Sequence, residues 1–422
     1  MRFTRHNDSH ARNDFWNRGE RDRRNAGSDQ TTTAPASDDP TAPSTTPSTS
    51  DLAAPDAAAA PETAADATVG SPSSPSTAEA ETGVTTGAPV LSDVEAAALL
   101  TGTDAAVSEA ATLTRHDGTL YANSGDVIEN LDIYADGVGI ELEDDDNVTI
   151  RNVRIHYNGA SEGGFGIDAV DADGLTIEGV ELINAGAPES GPTSEGEELG
   201  IGLYNSPGAQ VSRATVHDAS TGIYLQDSPN AVLEGIEGYN MRGPFPGGQL
   251  VQFNRSGDSS LDTFYVYNDL ETSWTEDNIH VGEGSDGVTI TNGLIDGNNS
   301  PSGVGVMLEG AQNTTVRNVD TVHMGNGAFT DIGSNNLFDD VRSFDNFAES
   351  QAGRGTPMSG SLIFGLADDT TLINGAYQNP AQPENIVYGG GIQDEAFGGT
   401  FEASEITGQA PMAAYHNTFS WS

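Results

Sequence analysis

The 422-residue chain contains no cysteine and no lysine. The first absence excludes disulfides and thiolate-bound metals, and leaves the compartment undecided. The second makes every fixed cation an arginine, and sixteen arginines against 64 acidic residues give a formal net charge of -48. A surface of that sign repels nucleic acids and other polyanions, so no nucleic-acid partner is expected. It suits concentrated salt, where self-repulsion is screened, and points to a halophilic or marine source. Uninterrupted apolar runs of about 18 residues are also missing, which excludes a helical membrane span. No apolar stretch near the N-terminus reads as a cleavable signal peptide. Helical spacing of apolar residues is absent from the main body of the chain.

Composition divides the chain into four parts. Residues 1–30 hold seven of the sixteen arginines, but Asp8, Asp14, Glu20 and Asp22 dilute them, so the segment reads as a disordered arm without a specific nucleic-acid role. Residues 31–90 are built from Ala, Pro, Ser, Thr and Asp and cannot offset the entropy of ordering, which marks a disordered linker. Residues 91–117 read as an N-terminal cap, because Ser92-Asp93-Val94-Glu95 before a run of Ala and Leu forms a capping box opening a short amphipathic helix. Residues 118–422 form the main domain, and the aromatic stretch from Asp394 is expected to close its far end.

That domain repeats one phrase: glycine, an apolar residue, a polar turn, then a β-rich run. Ile140, Ile167, Ile201, Ile223, Val251, Ile279 and Val306 occupy equivalent positions, at steps of 27, 34, 22, 28, 28 and 27 residues. Apolar residues alternate inside each phrase, as in Val148, Ile150, Val153 and Ile155, which is strand periodicity. A unit this short cannot bury its own apolar face and must stack on its neighbours. Leucine-rich repeats would need a leucine frame where Val, Ile and Thr dominate here. Sandwiches and barrels carry no self-similarity of this length.

The phrases NVTIRNVRI from Asn147 and NTTVRNVDT from Asn313 resemble the repeat of pectate-lyase-like proteins, over roughly Gly118 to Gln409. The resemblance implies an all-β fold, a right-handed parallel β-helix of about ten coils behind the short capping helix. It implies a polysaccharide substrate or glycan ligand, an extracellular or cell-surface location, and a monomer or homotrimer. Polysaccharide lyases, glycoside hydrolases, uronan epimerases and non-catalytic tailspikes or adhesins all share this fold, so the reaction must be argued from a site. The Gly-His-Gly pattern of polygalacturonases and the Asp-Pro-His pattern of uronan epimerases are both missing.

Stacked coils bring equivalent residues to about 4.8 Å from one another. One outward column reads Asp168, Gly202, Tyr224, Gln252, His280, Met307 and Asp331; two residues further along lies Tyr204, Gln226, Asn254, Gly282 and Glu309. Irregular segments at 241–248, 269–277 and 297–303 precede these strands and are expected on one edge, bringing Arg242, Phe245, Trp274, Glu276, Asp277, Asn298 and Asn299 beside the columns. In the resulting groove, Glu276, Asp277 and His280 are the candidate acids and bases, and Arg242 the candidate partner for a carboxylate or hydroxyl. Trp274, Tyr224, Gln252, Tyr204, Gln226, Asn254 and Glu309 are the candidate substrate-binding residues. In so acidic a chain Glu276 and Asp277 also read as solvated loop charges. His156, His217 and His323, beside Asn184, Asn240 and Asn268, read as a structural turn row, since none has metal-ligand spacing. The acidic run Glu143 to Asp146 is a candidate for Ca²⁺ but lacks the alternation of a defined loop. No other cofactor is indicated.

Overall fold

The computed structural model describes residues 112–161, 163–194, 198–346, 360–365, 369–378, 387–388 and 392–393. The arm, the linker, the expected helix from Ser92 and the C-terminal stretch from Asp394 lie outside them. No helix occurs among the described residues. Every strand runs parallel to its partners in one of two sheets, and each pairs with the strand one coil before and one coil after it. One sheet has eleven short strands, such as Ile140–Glu143, Val251–Asn254 and Ile279–Val281; the other has thirteen, mostly longer, such as Thr149–Tyr157 and Thr289–Asn298. Its first strand, Thr114–Asp117, pairs with Leu131–Tyr134, so the stack begins inside the span read as cap, ahead of the expected boundary at 118.

The repeat frame of the sequence is the register of the short-strand sheet. Ile140, Ile167, Ile201, Ile223, Val251, Ile279 and Val306 face one another in a single column, continued by Phe329 and Ile363. All are fully buried, and with the inward residues of the other sheet they form one continuous core. The glycine before this column has a steric cause. At Gly166 a Cβ would lie 2.5 Å from the carbonyl oxygen of Gly200 in the next coil and 2.4 Å from a Leu182 methyl.

Asparagine marks the corners. Most short strands run into a turn with two left-handed residues three apart, as Asp144 and Asn147, Asp227 and Asn230, or Gly310 and Asn313. A further left-handed residue bends most long strands midway, among them Asn130, Asn152, Asn292 and Asn318. Asn, Asp and Gly adopt this conformation at least cost. Both asparagines of NVTIRNVRI and of NTTVRNVDT are therefore corner residues, and the coil has three walls. Inside the first corner Ser206, Ser228, Ser256 and Ser285 stack, each backbone N–H donating to the next hydroxyl at 3.0 Å. That column satisfies buried donors where the chain leaves the sheet.

Candidate active site

The outward column of the short-strand sheet reads Glu141, Asp168, Gly202, Tyr224, Gln252, His280, Met307 and Thr330. Asp331, expected in it, falls one position further, opposite Leu308. The coil from Val306 to Phe329 is shorter than the one before it, and Asp331, in register with the buried Leu308, turns inward. There it is fully buried and accepts hydrogen bonds from Gly333 N–H, Asn336 Nδ2 and Thr370 Oγ1.

Three side chains meet at the middle of this face. Asp277, two residues ahead of the core isoleucine, accepts the Val304 N–H at 3.0 Å, and its other oxygen lies 3.8 Å from His280 Nδ1. His280 Nε2 is 3.2 Å from a Glu309 carboxylate oxygen, off the line that a hydrogen bond needs, so the two groups are close without being hydrogen-bonded. Asp277 and His280 are buried, with side chains 8% and 4% exposed, and Glu309 is 35% exposed, so the row leads from the interior to the surface. Burial pushes the Asp277 carboxyl up to about 7; His280 opposes this, Glu276 and Glu309 add to it, and the Val304 N–H opposes it. A carboxyl exchanging its proton near neutrality, coupled to an imidazole and a second carboxylate, is equipped for acid and base work.

Gln252 lies in register with His280. Its Oε1 and His280 Nε2 are both buried without a hydrogen-bond partner. Such a group costs roughly 1–3 kcal/mol, which a polar ligand arriving at this face would recover.

The remaining expected residues hold the scaffold. Arg242 is buried, its guanidinium donating to Asp218 at 2.9 and 2.5 Å and to the Thr272 carbonyl at 2.5 Å, so it clamps two coils together and is committed away from any ligand. Glu276, adjacent to Asp277, accepts from the hydroxyls of Ser300 and Ser302 at 3.1 and 3.0 Å. Asn298 and Asn299 tie Thr275 and the carbonyls of Leu270, Ser273 and Glu276 into one amide network that fixes the 269–277 loop. Trp274 is half-buried, its N–H bonded to Met241 O at 2.8 Å and its indole against Gly243, where the loops at 241–248 and 269–277 meet. Tyr224 is 1% exposed, with its hydroxyl on Gln226 Oε1 at 3.0 Å; Gln226 in turn donates to Asp227 at 2.8 Å. Buried in this way, Tyr224 offers no ring face to a sugar. Tyr204 and Phe165 lean over the space that Gly202 leaves empty, and Asn254 approaches the Tyr224 hydroxyl. Phe165, two residues ahead of the core Ile167 as Asp277 is ahead of Ile279, was not among the expected site residues. Glu309 was legible as a binding residue, but its approach to His280 was not.

The family model described as a right-handed β-helix region matches residues 96–237 and 199–357. This chain belongs to the right-handed β-helix family. No curated protein matches its sequence. Among solved structures, the β-helix is similar to the catalytic domain of a GH87 α-1,3-glucanase, at 13% identity and TM-score 0.43, covering 67% of this chain and 59% of that one. It is also similar to an alginate lyase from Paenibacillus, at 15% identity and TM-score 0.40, covering 66% and 99%, and to a periplasmic alginate epimerase, at 13% identity and TM-score 0.48, covering 69% of each chain. At these identities the likeness is one of fold. The β-helix spans about three fifths of the glucanase domain.

Two other regions of the β-helix were candidates for ligands. In the acidic turn, Asp145 and Asp146 accept backbone N–H groups of Glu143 and Asp173, so these carboxylates do not converge on a cation. Among the described residues no three His, Asp or Glu side chains are arranged to hold a metal ion. On the long-strand sheet, His156 and His217 stack on Tyr134 and Tyr239 at 4.3 and 5.1 Å between ring centres. His323 falls outside that column, because Val322 takes the position paired with Asp296. Asn184 and Asn268 bond buried backbone groups at the same corner. No helix of the described residues is long and apolar enough to cross a membrane.

Proposed function

We propose that this β-helix is a carbohydrate-active enzyme that hydrolyses glycosidic bonds of an extracellular or cell-surface polysaccharide at the outer face of the short-strand sheet. The observation that carries this reading is the Asp277–His280–Glu309 row, in which one carboxyl is held near neutrality by burial and another stands at the surface. Glu309 faces the sugar and gives or takes the proton at the glycosidic oxygen. His280, 3.2 Å from Glu309, exchanges a proton with it once a bound sugar brings the two into line, and Asp277 faces the imidazole on its Nδ1 side. Hydrolysis needs a second surface carboxylate. Glu283 supplies it: the side chain is exposed, and it packs beside Gly310, the residue after Glu309. The alternative of β-elimination requires a cation to neutralise a uronate carboxylate, and Arg242 is engaged by Asp218 and Thr272.

The full chain incubated with a panel of polysaccharides should release reducing ends without forming unsaturated uronates. Changing His280→Ala should slow release by about 10²- to 10⁴-fold, the range for losing a positioned acid or base. Unsaturated product would convert the assignment to a lyase. Binding without turnover would make the protein an adhesin, and full activity in both His280→Ala and Glu309→Gln would place the site elsewhere.

A further inference from the structure

We infer that the polymer this site takes is uncharged, an inference that rests on the acid–base reading of Asp277, His280 and Glu309. The argument begins with where the cations are. The chain has no lysine, and each of the eight arginines among the described residues already has a carboxylate partner. Six of the eight sit on strands of the long-strand sheet. The strands of the short-strand sheet contain none. The two arginines nearest its outer face are spent, Arg242 on Asp218 and Arg255 on both oxygens of Asp227 at 2.7 Å.

What surrounds the site is acidic. Asp277, Glu309 and Glu283 stand in the coils that carry His280 and its neighbours, and Asp168 lies further along the same column. A uronate or sulfated sugar seated here would meet carboxylates at short range with no fixed cation to balance it, and like charges in an interface cost several kcal/mol. The imbalance is local as well as global, and at contact distance in a partly buried site salt weakens it less than it weakens the repulsion between exposed charges further apart.

The groups that are available suit hydroxyls. Gln252 Oε1 is a buried acceptor without a donor, and a sugar hydroxyl can donate to it where an ionised carboxylate or sulfate cannot. Phe245 adds an apolar element at the loop tip, where its side chain is 48% exposed. The backbone on either side of it is held by Gly247 N–H on Pro244 O and by Gln249 Nε2 on Pro246 O, both at 2.7 Å. A ring carried on a held loop can meet the C–H face of a pyranose without ordering of the loop adding to the entropic cost.

The test compares one acidic polysaccharide with its carboxyl-reduced, uncharged counterpart, using the full chain at about 0.1 M and about 3 M NaCl, on either side of strong screening. The reduced polymer should be turned over with kcat/KM at least about tenfold higher at both salt concentrations. Parity at high salt, or a preference for the acidic form, would overturn the inference while leaving the acid–base row standing. If neither polymer is turned over, affinity electrophoresis in gels containing each reads the same preference. Retardation by the uncharged polymer alone would then support the inference and reject the acid–base reading, and retardation by the acidic one, or by neither, would reject both.

Discussion

His280 and Glu309 approach to 3.2 Å although they are not partners in the sheet. The residue in register with His280 on the next coil is Met307, and Glu309 lies two positions beyond it, so the contact crosses the ladder diagonally. Such diagonal neighbours are within reach of long side chains. The diagonal joins two outward columns, one supplying the imidazole and the other the carboxylate, while Asp277 reaches the imidazole from the loop edge.

The buried Asp277 carboxyl should set a stability profile that runs opposite to that of a salt-bridged aspartate. Its folded-state value of about 7 lies above the ordinary 3.8, so the folded protein binds this proton more tightly than the unfolded chain. Stability from this group is complete below about pH 4 and is lost as pH rises toward 7. Asp277→Asn removes the buried charge, and its amide oxygen retains the Val304 N–H. The variant should be inactive, should match the parent in thermal midpoint at pH 4, and should exceed it at pH 8, as read by thermal unfolding at both pH values.

Arg242→Met should behave as a structural lesion. Losing the clamp to Asp218 and the Thr272 carbonyl should cost about 1–3 kcal/mol in denaturant unfolding. The KM for any substrate should change less than the unfolding midpoint does, whereas a residue touching a sugar would show the reverse.

Gly166→Ala tests the glycine column. The added methyl would meet a backbone carbonyl at 2.5 Å that the neighbouring coil holds in place. Destabilisation of about 1–3 kcal/mol is expected from this overpacking, measured as a shift in the denaturation midpoint. Gly208→Ala is the comparison, with nothing within 4 Å of its Cβ position and φ +69 the sole cost.

Ser256→Ala breaks the serine column. The Ser228 N–H would lose its acceptor in a fully buried corner, at roughly 1–3 kcal/mol. Hydrogen exchange at the Ser228 amide should accelerate more than at amides in distant coils, because repeat stability is largely a nearest-neighbour property.

The sequence by itself determined the stack and its register. Alternation and period are local features, and four successive coils share one steric rule at Gly139, Gly166, Gly200 and Gly222, so the column from Ile140 to Val306 was legible in the sequence although Leu250 and Asn278 replace the glycine in two later coils. The expected register slipped at Asp331, which falls one position past the outward column, and at His323, where Val322 takes the position opposite Asp296. Tertiary structure decided what the outward side chains do. Tyr224, Arg242 and Glu276 are of the right chemical types for a sugar site, but each found a protein partner first, Gln226, Asp218 and the serines at 300 and 302. Which polar group is spent and which is left over depends on contacts between coils some 25 residues apart in sequence, and on burial that no local pattern encodes. Charge composition came from the sequence alone. That every described arginine is paired, and that the face carrying His280 has none, could be decided only by the fold.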